Sequence, residues 1–327
     1  MNWKWLLVVV ALFLLCFWAD ASWNGYALRL FMFLGLYVAL SVSLNLVNGL
    51  TDIFSLGHAA FMALGAYTSA VLTLPLERRP STFSTLATWF QEMVVPFPLA
   101  LLAGASVAIV AALFIGVPLL RLRGHYLSVG TLALLVIVET LTRNMAFLTK
   151  GARGFNGIPT YTNVFWVWGV AVLCIYIVVR FKVSSFGLAF NALRQDDVAA
   201  EATGIPTAKY RLLSFVVSAA MAAVVGGLWA HLVRVIQPNV FSYNITFLVV
   251  AMLVIGGLGS ISGSVIGAAV LFIIPEALRF LETGRLFGLS QLILAVLLIV
   301  VMIFRPQGLL GRKEISFGKQ RATSNEQ

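Results

Sequence analysis

A chain of 327 residues that is 61% hydrophobic and only 10% charged cannot bury its apolar side chains in one soluble core. Its mean hydropathy of +0.98 is typical of an integral membrane protein. The formal net charge of +10 calls for no nucleic acid as partner, because basic residues in cytoplasmic loops of a membrane protein account for it.

Apolar runs predict the membrane helices, since about 20 helical residues cross a bilayer core about 30 Å thick. Ten segments qualify along the chain: 5–19, 27–47, 56–74, 97–119, 126–142, 163–180, 211–233, 245–256, 264–278 and 287–304. The segments 245–256 and 264–278 are short and separated by Gly and Ser, which makes them candidates for halves of broken or re-entrant helices. The predicted fold is all-α, a polytopic helical bundle in the membrane.

Residues 1–21 allow two interpretations. Lys4, the apolar run after it and the Ala-Asp-Ala sequence at 19–21 resemble a signal peptide with its cleavage site. Tryptophans near both ends of the run lie where interfacial anchors belong, and the first helix of a multi-pass protein commonly serves as its insertion signal. We expect a retained helix, with the cleaved signal as the alternative.

Lys and Arg in the loops set the predicted orientation. If the N-terminus is cytoplasmic, the loops on that side carry more than half of the basic residues, most of them in the loop 181–210 and the tail 305–327. Both termini are therefore predicted to be cytoplasmic. We divide the chain into a transmembrane domain, residues 1–310, and a basic cytoplasmic tail, residues 311–327.

Residue patterns for catalysis, metal binding or ion coupling are weak. The cysteines and histidines are too scattered for a metal site, so no metal is predicted. No HExxH, GxSxG or GxxxxGK[ST] motif occurs, and the chain is predicted not to be an enzyme and to lack an ATPase site. Glu139 is the best candidate for a proton relay, but Arg143 follows at i+4, which favours a surface pair.

The loop after segment 163–180 carries helix-terminus signals. Serines at its start can cap a first short helix, and two aspartates at 196 and 197 fall in the first turn of a second. Gly204 offers a left-handed cap and Pro206 prevents continuation, which predicts a helix near 196–203. Ala200 and Gly204 are predicted to share a face free of bulk that nests into a groove of another protein. The simpler alternative is a solvated connector.

Four blocks of the sequence resemble one family. Residues 194–205, RQDDVAAEATGI, resemble the cytoplasmic "EAA" coupling loop of ABC importer permeases, in the form found in branched-chain amino acid transporters. The blocks 45–49, 55–61 and 65–67 are similar to the N-terminal signature of that family, 154–159 to its external loop, and 256–268 to its C-terminal glycine block. In order and spacing they resemble the M-type permease subunit more than its H-type companion, over about residues 27–310.

The resemblance implies a permease subunit of an ATP-driven (ABC) importer for branched-chain or related hydrophobic amino acids, in a bacterial or archaeal cytoplasmic (inner) membrane. It implies as partners a homologous H-type permease, two cytoplasmic ATP-binding subunits that hold ATP and Mg, and a periplasmic or lipid-anchored substrate-binding protein. No cofactor is expected on this chain itself. An ion-coupled secondary transporter, or an ABC permease for urea, short amides or another amino acid, remains open.

The resemblance also implies site residues. Those of the coupling loop are Arg194, Asp196, Asp197, Ala199, Ala200, Glu201 and Gly204, of which the charged ones are expected to fix the register on the ATPase. Those of a candidate pathway or helix break are Asn45, Asn48, Gly49, Ser55, Gly57, His58, Gly256, Gly257 and Gly259.

The glycines and polar residues of the candidate pathway have expected structural roles. The glycines are expected to allow close approach of helices, and the asparagines to satisfy backbone groups freed by a helix break. Ser55 is expected to cap a helix that restarts at Leu56, with a neutral, hydrogen-bonded His58 in its first turn. The alternative is that these polar groups hold helices together without touching substrate.

Overall fold

The computed structural model describes residues 3–83, 87–122, 124–279, 288–305, 307–311 and 314. The α-helices are α1 (Trp3–Ser22), α2 (Gly25–Leu44), α3 (His58–Thr73), α4 (Arg79–Thr82), α5 (Thr88–Gln91), α6 (Phe97–Leu119), α7 (His125–Asn144), α8 (Ala146–Thr149), α9 (Val164–Val183), α10 (Ser185–Gln195), α11 (Asp197–Ala202), α12 (Thr207–Val233), α13 (Tyr243–Gly256), α14 (Ile261–Leu278) and α15 (Leu289–Phe304). A π-helical turn, Asn45–Gly49, continues α2, and 3₁₀ turns occupy Leu76–Arg78, Gly151–Arg153 and Pro238–Phe241. Two short strands, β1 (Phe155–Asn156) and β2 (Val235–Ile236), pair antiparallel.

Seven stretches of the described chain are long and apolar enough to cross a membrane: Gly25–Gly49, Phe97–Leu119, His125–Asn144, Val164–Val183, Thr207–Val233, Pro238–Gly256 and Ile261–Leu278. Shorter apolar helices occur at Leu7–Ser22 and Leu292–Phe304. The predicted all-α, multi-pass membrane bundle is therefore confirmed. The expected break between 256 and 264 is a tight turn, and the stretches on its two sides, Pro238–Gly256 and Ile261–Leu278, are each long enough to cross. Residue 287 and most of the predicted tail 311–327 lie outside the described residues.

Helix α3 lies at the centre of the bundle, packed against α12 and α6. Glycines bring the three backbones into contact. A Cβ on Gly65 would lie 2.0 Å from the carbonyl oxygen of Ala223, and one on Gly226 would lie 2.0 Å from that of Met62. A Cβ on Gly104 would approach the Gly65 carbonyl oxygen to 3.1 Å. Small residues thus let α3 sit within the bundle without a layer of side chains between it and its neighbours.

The remaining long helices surround this centre. Helix α2 packs against α9, α14 and α12, and α13 and α14 form an antiparallel pair joined at residues 257–260. The β1–β2 pair marks one end of the bundle, called the strand end below. Helices α10 and α11 and the 257–260 turn mark the other, called the loop end.

Polar side chains fix α3 at the strand end. The buried guanidinium of Arg79 donates to the carbonyl oxygens of Val71, Leu72 and Leu74, at 2.7, 2.9 and 2.9 Å, where the helix has run out of its own donors. His231 of α12 is buried, with Nε2 3.0 Å from Ser69 Oγ on α3.

Candidate coupling and translocation site

The π-helical turn at the end of α2 is buried and attached to the 257–260 turn. Asn45 donates from Nδ2 to the Ser260 carbonyl oxygen at 3.0 Å and accepts at Oδ1 from the Gly259 N–H at 2.9 Å. A Cβ on Gly49 would lie 2.5 Å from the Gly259 nitrogen. Asn45 therefore bonds to the backbone of the 257–260 turn and not, as predicted, to groups freed by the break in α2 itself. The predicted close approach at Gly49 is present.

Asn48 holds the non-helical chain that follows. Its Oδ1 accepts from the Ser55 N–H at 3.1 Å, and its Nδ2 donates to the Ser55 carbonyl oxygen at 3.3 Å. Thr51 donates to the Val47 carbonyl oxygen at 2.8 Å and lies 3.3 Å from the Ser214 hydroxyl on α12. Side chains therefore replace the backbone hydrogen bonds that a helix would have supplied.

The restart of the helix differs from the prediction. Helix α3 begins at His58 after Gly57, and no side chain caps it, so the expected cap by Ser55 on a helix starting at Leu56 is wrong. The physical reason is that the chain before α3 bonds to α7 instead of entering a helix: the Leu56 N–H donates to Thr131 Oγ1 of α7 at 2.9 Å, and Ser55 Oγ accepts from the Gly57 N–H only at a long 3.5 Å. A Cβ on Gly57 would lie 2.9 Å from the Thr131 carbonyl oxygen, so the predicted close approach at Gly57 is present.

His58 is buried between α2, α12 and α13. Its Nε2 lies 2.8 Å from Ser43 Oγ on α2, so the expected hydrogen-bonded histidine is confirmed. The Ser43 carbonyl oxygen accepts from Ser218 Oγ on α12 at 2.7 Å. Two clefts flank the imidazole, one beside Ser218 and one beside Thr246, and together they leave room for about one water molecule. This conformation is closed to an amino acid here, and contact of His58 with substrate stays a prediction.

The predicted glycine block forms the turn between α13 and α14. Gly257 and Gly259 have φ of +118° and +84°, which L side chains rarely adopt. A Cβ on Gly256 would lie 2.0 Å from the Gly263 carbonyl oxygen, so the two helices touch by their backbones. Ser260 caps α14 by accepting the Gly263 N–H at 3.0 Å. Turn and close packing both require glycine at these positions.

The coupling loop folds as two short helices, α10 and α11, as predicted, but the expected serine cap of the first helix is wrong, because the Ser184 hydroxyl donates back to the Phe181 carbonyl oxygen at 2.9 Å. The Asp196 side chain caps α11 by accepting the N–H groups of Val198 and Ala199 at 2.8 and 3.1 Å. Gly204 has φ of +85°, and its N–H bonds to the Glu201 carbonyl oxygen at 3.0 Å. These bonds confirm the predicted start near 196 and the left-handed end at Gly204.

The predicted docking face of α11 is wrong in one respect. Ala200 is only 4% exposed. The short helix α11 rests on the bundle, and Ala200 lies on the side of α11 that the bundle covers. A Cβ on Gly204 would meet nothing within 4 Å. The side of α11 that faces outward carries Val198, Ala199 and Ala202. Ala200 and Gly204 do not form a common open face.

Charged residues of the loop make contacts within the chain. Asp197 pairs with Arg211 of α12, and Asp196 caps its own helix. Arg194 donates from Nη2 to the Leu258 carbonyl oxygen at 3.3 Å. Of the four charged residues expected to set the register on a partner, Arg194 and Asp197 anchor the loop to other elements, whereas Asp196 and Glu201 are exposed.

Two residues that the sequence did not single out complete the loop end. Lys182, just before α10, donates from Nζ to the Gly259 carbonyl oxygen at 2.7 Å and to Glu314 Oε1 at 2.6 Å. Burial raises the pKa of Glu314, but hydrogen bonds from Lys182, the Ile261 N–H and Ser262, with the positive charge of Lys182, outweigh it and lower that pKa. Glu314 is therefore held as a carboxylate against the start of α14.

Comparison with known proteins identifies the family. The profile of the family described as "Branched-chain amino acid transport system / permease component" matches residues 26–304. The chain belongs to this permease family.

Individual relatives agree with the M-type resemblance. The permease is 31% identical over 309 residues to the high-affinity branched-chain amino acid transport system permease protein LivM of Salmonella typhimurium, covering 84% of this chain and 68% of the relative. It is 29% identical over 306 residues to LivH of Escherichia coli K12, covering 85% of this chain and 92% of the relative. It is 23% identical over 329 residues to a probable LivM of Methanocaldococcus jannaschii, covering 87% of this chain and 93% of the relative. No solved structure matches the permease.

The groups considered for ion coupling in the permease lie at its surface. Glu139 and Arg143 form an i,i+4 pair at 2.6 Å, with side chains 18% and 50% exposed, so the predicted surface pair is confirmed. Among the residues that the structure describes, no Asp or Glu is fully buried, and the partly buried Glu314 lies at the loop end. Observed carboxylates thus give no support to a proton relay at membrane depth.

Proposed function

We propose that this permease is the M-type transmembrane subunit of an ATP-driven importer for branched-chain or related hydrophobic amino acids, in a bacterial or archaeal cytoplasmic membrane. It forms the translocation path with a homologous H-type permease. Two cytoplasmic subunits bind ATP and Mg and dock at the loop end, and a periplasmic or lipid-anchored binding protein delivers substrate at the strand end. The chain itself binds no cofactor.

One observation carries the proposal: the coupling loop is attached to the break in a membrane helix. Arg194 reaches the Leu258 carbonyl oxygen, and the next residue of that turn, Gly259, is bonded to Asn45 in the π-helical end of α2. A force on α10 and α11 is therefore passed through the 257–260 turn to α2, whose broken end leads to His58. Such a connection is what an external ATPase needs in order to move the membrane helices.

The test is uptake by vesicles that contain the complete complex. We expect uptake of a branched-chain amino acid to require ATP inside the vesicle and to continue when an uncoupler collapses the proton gradient. Omission of the H-type permease or of either ATPase is the control and should abolish uptake. Transport that proceeds without ATP and stops with the uncoupler would reject the proposal in favour of an ion-coupled carrier.

A further inference from the structure

The described C-terminal residues Gly308, Leu309, Leu310, Gly311 and Glu314, called the C-terminal segment here, contact both sides of the 257–260 turn. The N–H groups of Leu309 and Leu310 donate to the carbonyl oxygens of Ile255 and Gly256, at 2.7 and 3.2 Å. These carbonyls belong to the last turn of α13, where helical donors have run out. The segment thus caps the end of one helix of the pair.

Glu314 caps the start of the other helix. Its Oε1 accepts from the Ile261 N–H at 2.8 Å, and its Oε2 accepts from the N–H and the hydroxyl of Ser262 at 3.1 and 2.7 Å. These N–H groups lie in the first turn of α14, where a carboxylate is also favoured by the helix dipole. One short piece of chain therefore satisfies backbone groups on both sides of the turn.

Backbone contact locks this arrangement. A Cβ on Gly308 would lie 2.6 Å from the Gly257 Cα, and one on Gly257 would lie 2.4 Å from the Gly311 carbonyl oxygen. Lys182 then bridges Glu314 and the Gly259 carbonyl oxygen, which ties the segment to the chain that enters α10. The turn that receives Arg194 from one side is held by the C-terminal segment from the other.

We infer that the C-terminal segment is a positioning element of energy coupling, with Glu314 as its central residue. It holds the 257–260 turn in the conformation that accepts hydrogen bonds from Arg194 and Lys182. When these two residues move, the turn moves with them and displaces Asn45. The inference rests on the proposed ATP-driven function. Without the segment, movement of α10 and α11 deforms a loose turn instead of shifting α2, so ATP is hydrolysed with little transport.

The first measurement does not depend on transport. Leu258→Cys, in a chain whose Cys16 and Cys174 are replaced, serves as a thiol reporter in the purified permease. Because Glu314 makes several charge-assisted bonds to this turn, we expect Glu314→Ala to raise the rate of thiol modification about tenfold. Glu139→Gln removes a carboxylate from the surface pair elsewhere and is the matched control, expected to leave the rate unchanged. An unchanged rate in Glu314→Ala overturns the inference.

The second measurement is the number of substrate molecules imported per ATP hydrolysed by the reconstituted complex. Glu314→Ala should insert and assemble normally and lower this ratio about tenfold, with ATP hydrolysis retained. A proportional loss of ATPase and uptake would mean that the segment only supports assembly, and a normal ratio would exclude its role in coupling. A loosened turn in a complex whose uptake needs no ATP would instead count against the proposed function.

Exchanging the charges of Lys182 and Glu314 tests whether Glu314 acts by capping α14 or only by forming an ion pair with Lys182. The double variant Lys182→Glu with Glu314→Lys restores an ion pair, but it places an ammonium group, which has no acceptor, against the N–H groups of α14. We expect the exchange to leave both thiol modification and the coupling ratio as impaired as in Glu314→Ala. Recovery of both would show that only the charge pair matters and would reject the capping role of Glu314.

Discussion

Replacing Gly65 by Ala tests the backbone contact at the centre of the bundle. The added Cβ would lie 2.0 Å from the Ala223 carbonyl oxygen and 2.4 Å from its carbonyl carbon and Cα, whereas real Cβ contacts stay beyond 3.0 Å. Helices α3 and α12 must therefore move apart by about 1 Å, and backbone atoms cannot turn aside as a side chain can. Overpacking of this kind costs about 1–3 kcal/mol, which outweighs the gain of about 0.5–1 kcal/mol from replacing Gly by Ala in a helix.

The native cysteines supply the assay. Cys16 and Cys174 are buried, so a maleimide dye that fluoresces on reaction with thiols reports unfolding of the detergent-purified permease during heating. We expect Gly65→Ala to unfold at a clearly lower temperature than the wild type. Gly169→Ala on α9, where a Cβ meets nothing within 4 Å, is the control and should unfold at the wild-type temperature or slightly above it. Equal unfolding temperatures for Gly65→Ala and the wild type would refute the backbone contact.

Two further predictions concern the two ends of the bundle. In a chain without native cysteines, Asn156→Cys should react with an impermeant thiol reagent added outside intact cells and Ser185→Cys should not, because the basic loop is predicted to be cytoplasmic; both side chains are exposed, so labelling at Ser185 would overturn the orientation. Ala199→Trp or Ala202→Trp should lower ATP-driven uptake about tenfold or more at normal subunit levels, since the indole occupies the outward side of α11. Val183→Trp, at the exposed last residue of α9, is the control. Normal uptake in the α11 variants would show that the loop is a plain connector.

Local patterns predicted most of the helices. The apolar run 97–119 coincides with α6, because Pro96 bounds it on one side and basic residues follow it on the other. The ends of α11 were equally predictable, since Asp196 and Gly204 determine them through bonds within a few residues. Helix capping depends on residues that are close in the sequence, so helix ends of this kind can be predicted from the sequence alone.

Contacts between distant parts of the chain were not predictable in this way. Arg194 and the Leu258 carbonyl oxygen are 64 positions apart, and nothing near Arg194 indicates that it turns inward. Glu314 was assigned to a basic tail because its neighbours are basic, yet its partners lie on α9 and α14. The burial of Ala200 likewise depends on which side of α11 rests on the bundle, and helical spacing does not determine that.

The position of α3 has a consequence for biosynthesis. This helix has 16 residues, fewer than a bilayer requires, and carries His58, Ser69 and Thr73, whose polar groups are satisfied mainly by α2 and α12. Alone in lipid it would be too short and would expose those groups to hydrocarbon. Its main partner α12 leaves the ribosome only after α6, α7 and α9. We therefore expect stable insertion of α3 to wait for α12, a helix made much later.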